Sequence, residues 1–138
     1  MAKKRKWASV DWEETLEIRD RVKKLVFDLN MEWIDINQIF FVQSSNSSSR
    51  AYARIWGLSK IWQLVLREKP KYIIEVLSQR FEKLGRREQD KVLLHELAHI
   101  PKNFSGSLLP HIRKRGKRNF HDRVETLFKR YLNSKTNV

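Results

Sequence analysis

The sequence contains no cysteine among its 138 residues. This absence excludes disulfides, zinc sites built on thiolates and cysteine nucleophiles, and it is compatible with the reducing cytoplasm, where we expect the protein. Long apolar runs are also missing: the longest is Ile39 to Val42, whereas a membrane-spanning helix needs about 20 apolar residues. No apolar stretch follows the basic segment Met1 to Lys6, so we expect neither a secretory signal nor a membrane partner.

Acidic residues are scarce relative to basic ones. The 16 Asp and Glu stand against 29 Lys and Arg, which gives a formal net charge of +13. Residues 101–138 contain ten of the basic residues and only two acidic ones, and a further basic cluster runs from Lys3 to Lys6. The densest patch consists of Arg113, Lys114, Arg115, Lys117 and Arg118. Such a field attracts phosphates, so nucleic acid is a candidate partner; a solubilising surface explains the same charges equally well.

The length and composition predict one domain. Hydrophobic residues make up 41% of the chain and include 5 Trp and 7 Phe, enough for a compact core. We expect a basic N-terminal tail over residues 1–10, the domain over residues 11–132 and a C-terminal tail over residues 133–138.

Apolar periodicity predicts three helices and three strands. The predicted helices are residues 11–29, 86–100 and 119–132, and the predicted strands are residues 39–42, 51–56 and 72–77. Residues 61–66 fit either a strand or one or two helical turns. The expected fold is therefore α+β, with a small three-stranded sheet, a central helix packed on it and flanking helices.

The segment His95-Glu96-Leu97-Ala98-His99 is the most informative motif. Two histidines four residues apart project from one face of a helix, where they can bind a single Zn²⁺. Glu96 can then act as general base, taking a proton from a zinc-bound water and delivering it to a leaving amine. This is the H-E-x-x-H pattern of metalloproteases. Two histidines without a metal are the alternative, but the apolar residues around the motif predict a buried helix, where unligated imidazoles are costly.

A catalytic zinc needs a third protein ligand, and three residues are candidates. His111 follows a loop long enough to return to the helix. His121 opens the last predicted helix, and Glu125 one turn later offers a carboxylate. Spacing alone does not rank the two histidines.

Arginine and aromatic residues are interleaved in the strand at residues 51–56. Arg50, Tyr52 or Arg54 could donate a hydrogen bond to an oxyanion. Together with Trp56 they would also suit stacking on nucleic-acid bases. Ordinary roles in a strand, in the core or as solvated charges are the simpler explanation of each of these side chains.

Residues 95–111, HELAHIPKNFSGSLLPH, resemble a family of short metallopeptidases found in archaea and phages. Residues 49–57 and 72–76, with Arg80-Phe81, are similar to the same family, so the resemblance covers residues 39–111. The family pattern has Pro-His where this chain has Pro110-His111, which implies His111 as the third ligand. The family often has Gly next, whereas Ile112 begins a basic run here; an insertion at residues 113–118 would leave His121 as the alternative.

The resemblance implies a zincin-like fold, with a more distant similarity to SprT-like minimal zincins, some of which act on DNA-bound proteins. We therefore predict a zinc-dependent metallopeptidase that acts on a protein or peptide, with His95, His99 and His111 on the metal and Glu96 as general base. The alternative is a basic nucleic-acid-binding module with a structural or vestigial zinc. Glu96 argues against it, because a structural zinc usually takes four protein ligands and has no use for that carboxylate.

Overall fold

A computed structural model of the protein describes residues 10–111 and 120–136. The strands are β1 (Asp11–Glu14), β2 (Ile39–Ser45), β3 (Ala53–Gly57) and β4 (Tyr72–Leu77). The helices are α1 (Leu16–Asp28), α2 (Lys60–Leu66), α3 (Ser78–Phe81), α4 (Arg86–Ala98) and α5 (Phe120–Thr136), with a 3₁₀ turn at Ile36–Gln38. No helix in this described part has the length and apolar character that a bilayer span requires. The α+β class is confirmed.

The sheet has four strands in the order β1-β2-β4-β3, so the prediction of three was wrong. β2 and β4 are parallel, and the two outer pairs are antiparallel. The missed strand is Asp11–Glu14, which was predicted as the start of the first helix. Thr15 separates the two elements, because its side chain accepts a hydrogen bond from the backbone N–H of Ile18 and caps α1. All four residues of β1 are exposed, so no buried alternation marked it as a strand.

The core lies on one face of the sheet. Along the first three residues of β2 and of β4, buried residues alternate with exposed ones, as the pleat requires. The buried side chains of the sheet meet apolar side chains of α1, α4 and α5 in a single cluster. Leu93, Leu94 and Leu97 of α4 are fully enclosed in it, which fixes the rotation of this helix about its axis.

A buried polar network joins the three large helices. Arg21 of α1 pairs with Asp90 of α4 at 2.7 Å, and the hydroxyl of Tyr131 of α5 donates to the other oxygen of Asp90 at 2.5 Å. Both partners of this ion pair are nearly enclosed. Because removing one partner would leave a buried charge uncompensated, the network holds α4 in register with its neighbours.

Other helices also differ from the predicted ones. Residues 60–66 are helical, which settles the ambiguity in that region, and none of them is buried. α4 ends at Ala98, and α5 continues to Thr136. The short helix α3 was not predicted at all.

Candidate metal centre

The motif lies at the carboxyl end of α4, as predicted. His95 and Glu96 belong to its last turns, and His99 is its C-cap. The backbone N–H of His99 donates to the carbonyl of Glu96 at 3.1 Å, so the final turn keeps a helical path. The two histidines therefore retain the spacing that places both imidazoles on one side of the helix.

His111 joins this pair in the structure. One nitrogen from each of His95, His99 and His111 lies within 4.8 Å of the other two. The Nε2 atoms of His95 and His111 are 2.9 Å apart. Three nitrogens on one tetrahedral zinc would be separated by about 3.3 Å, so small side-chain rotations are enough for the three imidazoles to share an ion. The donor set is one that zinc accepts.

The other two candidates for a third ligand lie outside this group. His121 is exposed on α5, one residue after Phe120. Glu125 pairs with Lys91 of α4 at 3.7 Å. Neither belongs to a metal-holding group among residues 10–111 and 120–136.

Leu109 determines the tautomer of His99. The Nδ1 atom of His99 lies 2.5 Å from the carbonyl oxygen of Leu109, which can only accept a hydrogen bond. Nδ1 therefore carries the proton, and Nε2 of the neutral ring keeps its lone pair. Metal-bound histidines commonly have their second nitrogen held by a carbonyl in this way.

The loop from Pro101 to His111 is fixed by residues distant in sequence. The hydroxyl of Tyr72 accepts from the backbone N–H of Gly106 at 2.8 Å and donates to the carbonyl of Ser107 at 2.9 Å. The side-chain amide of Gln63 donates to the carbonyl of Ser105 at 2.9 Å. Gly106 has a φ of 93°, a conformation that favours glycine. These contacts set the path that brings His111 to α4.

Close backbone contact also requires a glycine in β3. A Cβ atom on Gly57 would lie 2.0 Å from the carbonyl oxygen of Gly106. Any larger residue at position 57 would push the loop away from the sheet edge.

Phe120 covers the three imidazoles. Its ring stacks on His99 at a centroid distance of 4.1 Å and meets His95 and His111 at 4.9 and 4.8 Å. Phe120 is 6% exposed. It supplies an apolar wall, which lowers the local dielectric and limits the access of water.

Burial shifts the ionisation of the motif residues. Burial, helped by the nearby rings of His99 and His111, lowers the pKa of His95 to about 4. Burial also lowers the pKa of His99, so both rings are in the neutral form that binds metal ions. Glu96 is 7% exposed, and burial raises its pKa to about 8.

Two cavities flank His95. One, of ≈ 320 Å³, is lined by Tyr52, Ala53, Glu88, Lys91, Val92, His95, Glu96 and Val124. The second, of ≈ 270 Å³, is lined by Lys91, His95, His111, Phe120, His121, Val124 and Glu125. Glu96 lines only the first, which we call the Glu96 cavity. A group placed there would lie beside both His95 and the buried carboxyl group of Glu96.

The remaining predicted residues are not gathered at this site. Arg54 binds Glu75 through two hydrogen bonds of 2.7 and 3.1 Å, and the indole N–H of Trp56 donates to the same carboxylate at 2.9 Å. Of the three residues considered for an oxyanion, only Tyr52 lines the Glu96 cavity, while Arg50 is exposed.

The predicted nucleic-acid-binding residues 113–118 lie outside the described residues, as do Lys3 to Lys6.

Sequence reasoning assigned no site role to Leu109, Gln63, Tyr72 or Phe120. Of these, Phe120 had the best available signal, because it begins the apolar face of the last predicted helix. The others act through hydrogen bonds between residues distant in the chain, which no sequence spacing indicates.

Comparison with known proteins gives one result. A family model described as “putative phage metallopeptidase” matches residues 10–133, a range that contains the motif, the loop and α5 almost to its end. No curated protein and no solved structure matches the chain.

Proposed function

The chain belongs to this family of phage metallopeptidases, and on that basis we propose that it hydrolyses peptide bonds with a zinc ion held by His95, His99 and His111 and with Glu96 as general base. The observation that carries the proposal is the convergence of three imidazole nitrogens within 4.8 Å at the end of the helix that bears Glu96.

The number of protein ligands favours a catalytic site over a structural one. Structural zinc sites are closed by four protein ligands, whereas catalytic sites use three and keep a position open. Among residues 10–111 and 120–136, the group of possible ligands contains three histidines and no fourth member. When bound, zinc would lower the pKa of a water molecule and polarise the carbonyl of the scissile bond.

Glu96 is the residue of this chain best placed to move protons. It follows His95 directly, and its side chain lines a cavity that His95 also lines. Burial raises the pKa of Glu96 to about 8 in the metal-free protein, and the positive charge of a bound zinc would favour its ionised form. As general base, a carboxylate oxygen of Glu96 takes a proton from the attacking water while the water oxygen bonds to the carbonyl carbon. The same oxygen then gives that proton to the leaving nitrogen as the C–N bond breaks, so the carboxylate is regenerated.

The test compares wild type with Glu96→Gln. The amide is nearly isosteric and is not a ligand, so zinc content should be unchanged, while hydrolysis should fall by about 10³–10⁴-fold because an amide cannot accept the proton. Glu82→Gln, on an exposed carboxylate outside the site, is the matched control and should keep full activity. The substrate panel should include unfolded casein and proteins bound to DNA.

Three other results would count against the proposal. Equal, measurable cleavage by wild type and Glu96→Gln would show that Glu96 is not the base. Zinc bound by both proteins without cleavage of any substrate would favour the binding module with a structural zinc. An absence of zinc after reconstitution would show that the three histidines do not form a metal centre.

A further inference from the structure

The Glu96 cavity is a cleft with three sides. Residues Glu88 to Glu96 of α4 form its floor, the start of β3 with Tyr52 forms one wall, and Val124 of α5 forms the other. His95 and Glu96 line it at the carboxyl end of α4. We propose that this cleft binds an apolar side chain of the substrate, about the size of leucine or phenylalanine, beside the bond that is cut. This inference rests on the proposed function.

The walls of the cleft are apolar where they are deepest. Ala53 and Val124 are 7% and 5% exposed, and Val92 is half-buried between them. The side chain of Tyr52, which is 45% exposed, forms the outer part of the wall. A hydrophobic side chain that replaced water here would be favoured roughly in proportion to the apolar area it buries.

Among the described residues that line the cleft, Lys91 is the one lysine or arginine, and it is already engaged elsewhere. The ammonium of Lys91 lies 3.7 Å from a carboxylate oxygen of Glu125 and 4.8 Å from the ring centroid of Phe128, both on α5. Its charge is therefore directed towards α5. An acidic substrate side chain would have to compete with Glu125 for it, which argues against acidic specificity.

Glu88, which also lines the cleft, is exposed. Because Glu88 is hydrated, an ion pair with a substrate lysine or arginine would contribute little to affinity. Neither Lys91 nor Glu88 therefore outweighs the apolar walls. A neutral, apolar side chain is the ligand that these surroundings favour.

The volume sets the size of the group. The cleft measures ≈ 320 Å³, near the lower end of the range of about 300–1,000 Å³ for ligand pockets. It admits one bulky side chain with its adjacent backbone. In pockets of this kind each missing methylene lowers affinity by about tenfold or more, so isobutyl and methyl groups should be clearly distinguished.

The test uses a series of peptide hydroxamates that differ in one side chain: isobutyl, benzyl, methyl, carboxyethyl and guanidinopropyl. Calorimetry gives their affinities for the zinc-loaded protein, with acetohydroxamate as the reference without a side chain. In parallel, methyl NMR of the metal-free protein records whether the signals of Val92 and Val124 shift on titration. The isobutyl and benzyl compounds should bind at least about tenfold more tightly than the methyl compound, and they should shift both valine signals.

Two variants locate the effect. Val92→Phe fills the cleft and should remove the preference for isobutyl and benzyl while acetohydroxamate binds as before. Val124→Thr keeps the side-chain volume but adds a hydroxyl, so it should weaken that preference. It serves as the test if Val92→Phe does not fold. Variants that keep the full preference would place the apolar pocket elsewhere and overturn the proposal.

The outcomes separate this inference from the proposed function. Acetohydroxamate could bind tightly while all side chains give equal affinity, or while the carboxyethyl or guanidinopropyl compound binds best. Either result would overturn the cleft assignment and leave the metal centre intact. The protein could instead bind no zinc while the isobutyl and benzyl compounds still shift the valine signals. That result would support the apolar pocket and contradict the metal centre. An absence of binding in both experiments would overturn both.

Discussion

Leu109 and His99 are joined by two hydrogen bonds in opposite directions. The backbone N–H of Leu109 donates to the carbonyl of His99 at 2.7 Å, and the ring Nδ1–H of His99 donates to the carbonyl of Leu109 at 2.5 Å. One contact fixes where the loop returns to α4, and the other fixes which ring nitrogen is free. Because His111 follows two residues later, its approach to His95 depends on this link.

The first prediction concerns the third ligand. His111→Ala should lower zinc affinity by more than about 100-fold, because even the loss of an outer partner of a ligand typically costs about 10–100-fold. His121→Ala should leave the affinity within a few-fold of wild type. Competition with a fluorescent zinc chelator measures both constants. A larger loss for His121→Ala than for His111→Ala would assign the ligand to His121.

The second prediction concerns the loop. Tyr72→Phe removes the hydroxyl that bonds both Gly106 and Ser107, and an unsatisfied buried group costs about 1–3 kcal/mol. Zinc affinity should fall by about tenfold although every histidine is intact.

Tyr131→Phe is the control for that experiment. It removes a buried hydroxyl that bonds Asp90, away from the loop. It should lower the free energy of unfolding, as Tyr72→Phe does, without changing zinc affinity of the folded protein. If the two variants change zinc affinity equally, the effect of Tyr72 is one of general stability.

The third prediction concerns acid stability. Burial alone would raise the pKa of Glu75, but the hydrogen bonds from Arg54 and Trp56, together with the positive charge of Arg54, outweigh it and lower the pKa from 4.5 to about 2. A carboxyl group with a lowered folded pKa stabilises the fold above its unfolded pKa, and this contribution is lost as the pH falls through the folded value. It should amount to roughly 2–3 kcal/mol and disappear between about pH 4.5 and 2.

Urea denaturation of Glu75→Gln across this range measures that contribution. The variant should be less stable than wild type at pH 7, and the difference should shrink towards pH 2. Glu32→Gln, on an exposed carboxylate, is the control and should follow wild type throughout. A constant difference between Glu75→Gln and wild type would show that ionisation of Glu75 does not contribute.

The fourth prediction concerns the net charge of +13. We propose that the chain binds nucleic acid without sequence preference, with an affinity that falls steeply as salt rises. Replacing the five basic residues of the run 113–118 with glutamine should flatten the plot of log affinity against log salt by about 0.7–0.9 per lost phosphate contact. Fluorescence anisotropy with random-sequence DNA measures the slope.

The control for that experiment carries five glutamines at exposed positions elsewhere: Lys23, Lys24, Lys83, Lys129 and Arg130. It has the same net charge as the test variant. Equal slopes for the two variants would mean that the overall charge, and not the basic run, governs binding. If the protein does not bind DNA even at low salt, the positive charge serves solubility and not nucleic-acid binding.

Local periodicity was sufficient for the helix that carries the motif. The positions of His95, Glu96 and His99 on one helix follow from 3.6 residues per turn, and apolar neighbours indicated that the helix is buried. The strands β2, β3 and β4 could also be predicted from the sequence, since their β-branched and aromatic residues are typical of strands. β1 could not be predicted in this way, because its residues are exposed and their pairing partners in β2 lie about thirty positions away in the sequence.

What the sequence by itself determined was therefore the i,i+4 histidine pair, the carboxylate beside it and the α+β class. The tertiary structure decided which further histidine meets that pair, and it did so through Tyr72 and Gln63, which hold the loop, and Phe120, which packs on the rings. It also paired Arg54 with Glu75 instead of placing it in the cleft. The physical reason is that helical periodicity is a property of neighbouring residues, whereas the path of a loop depends on hydrogen bonds and packing between residues far apart in the chain.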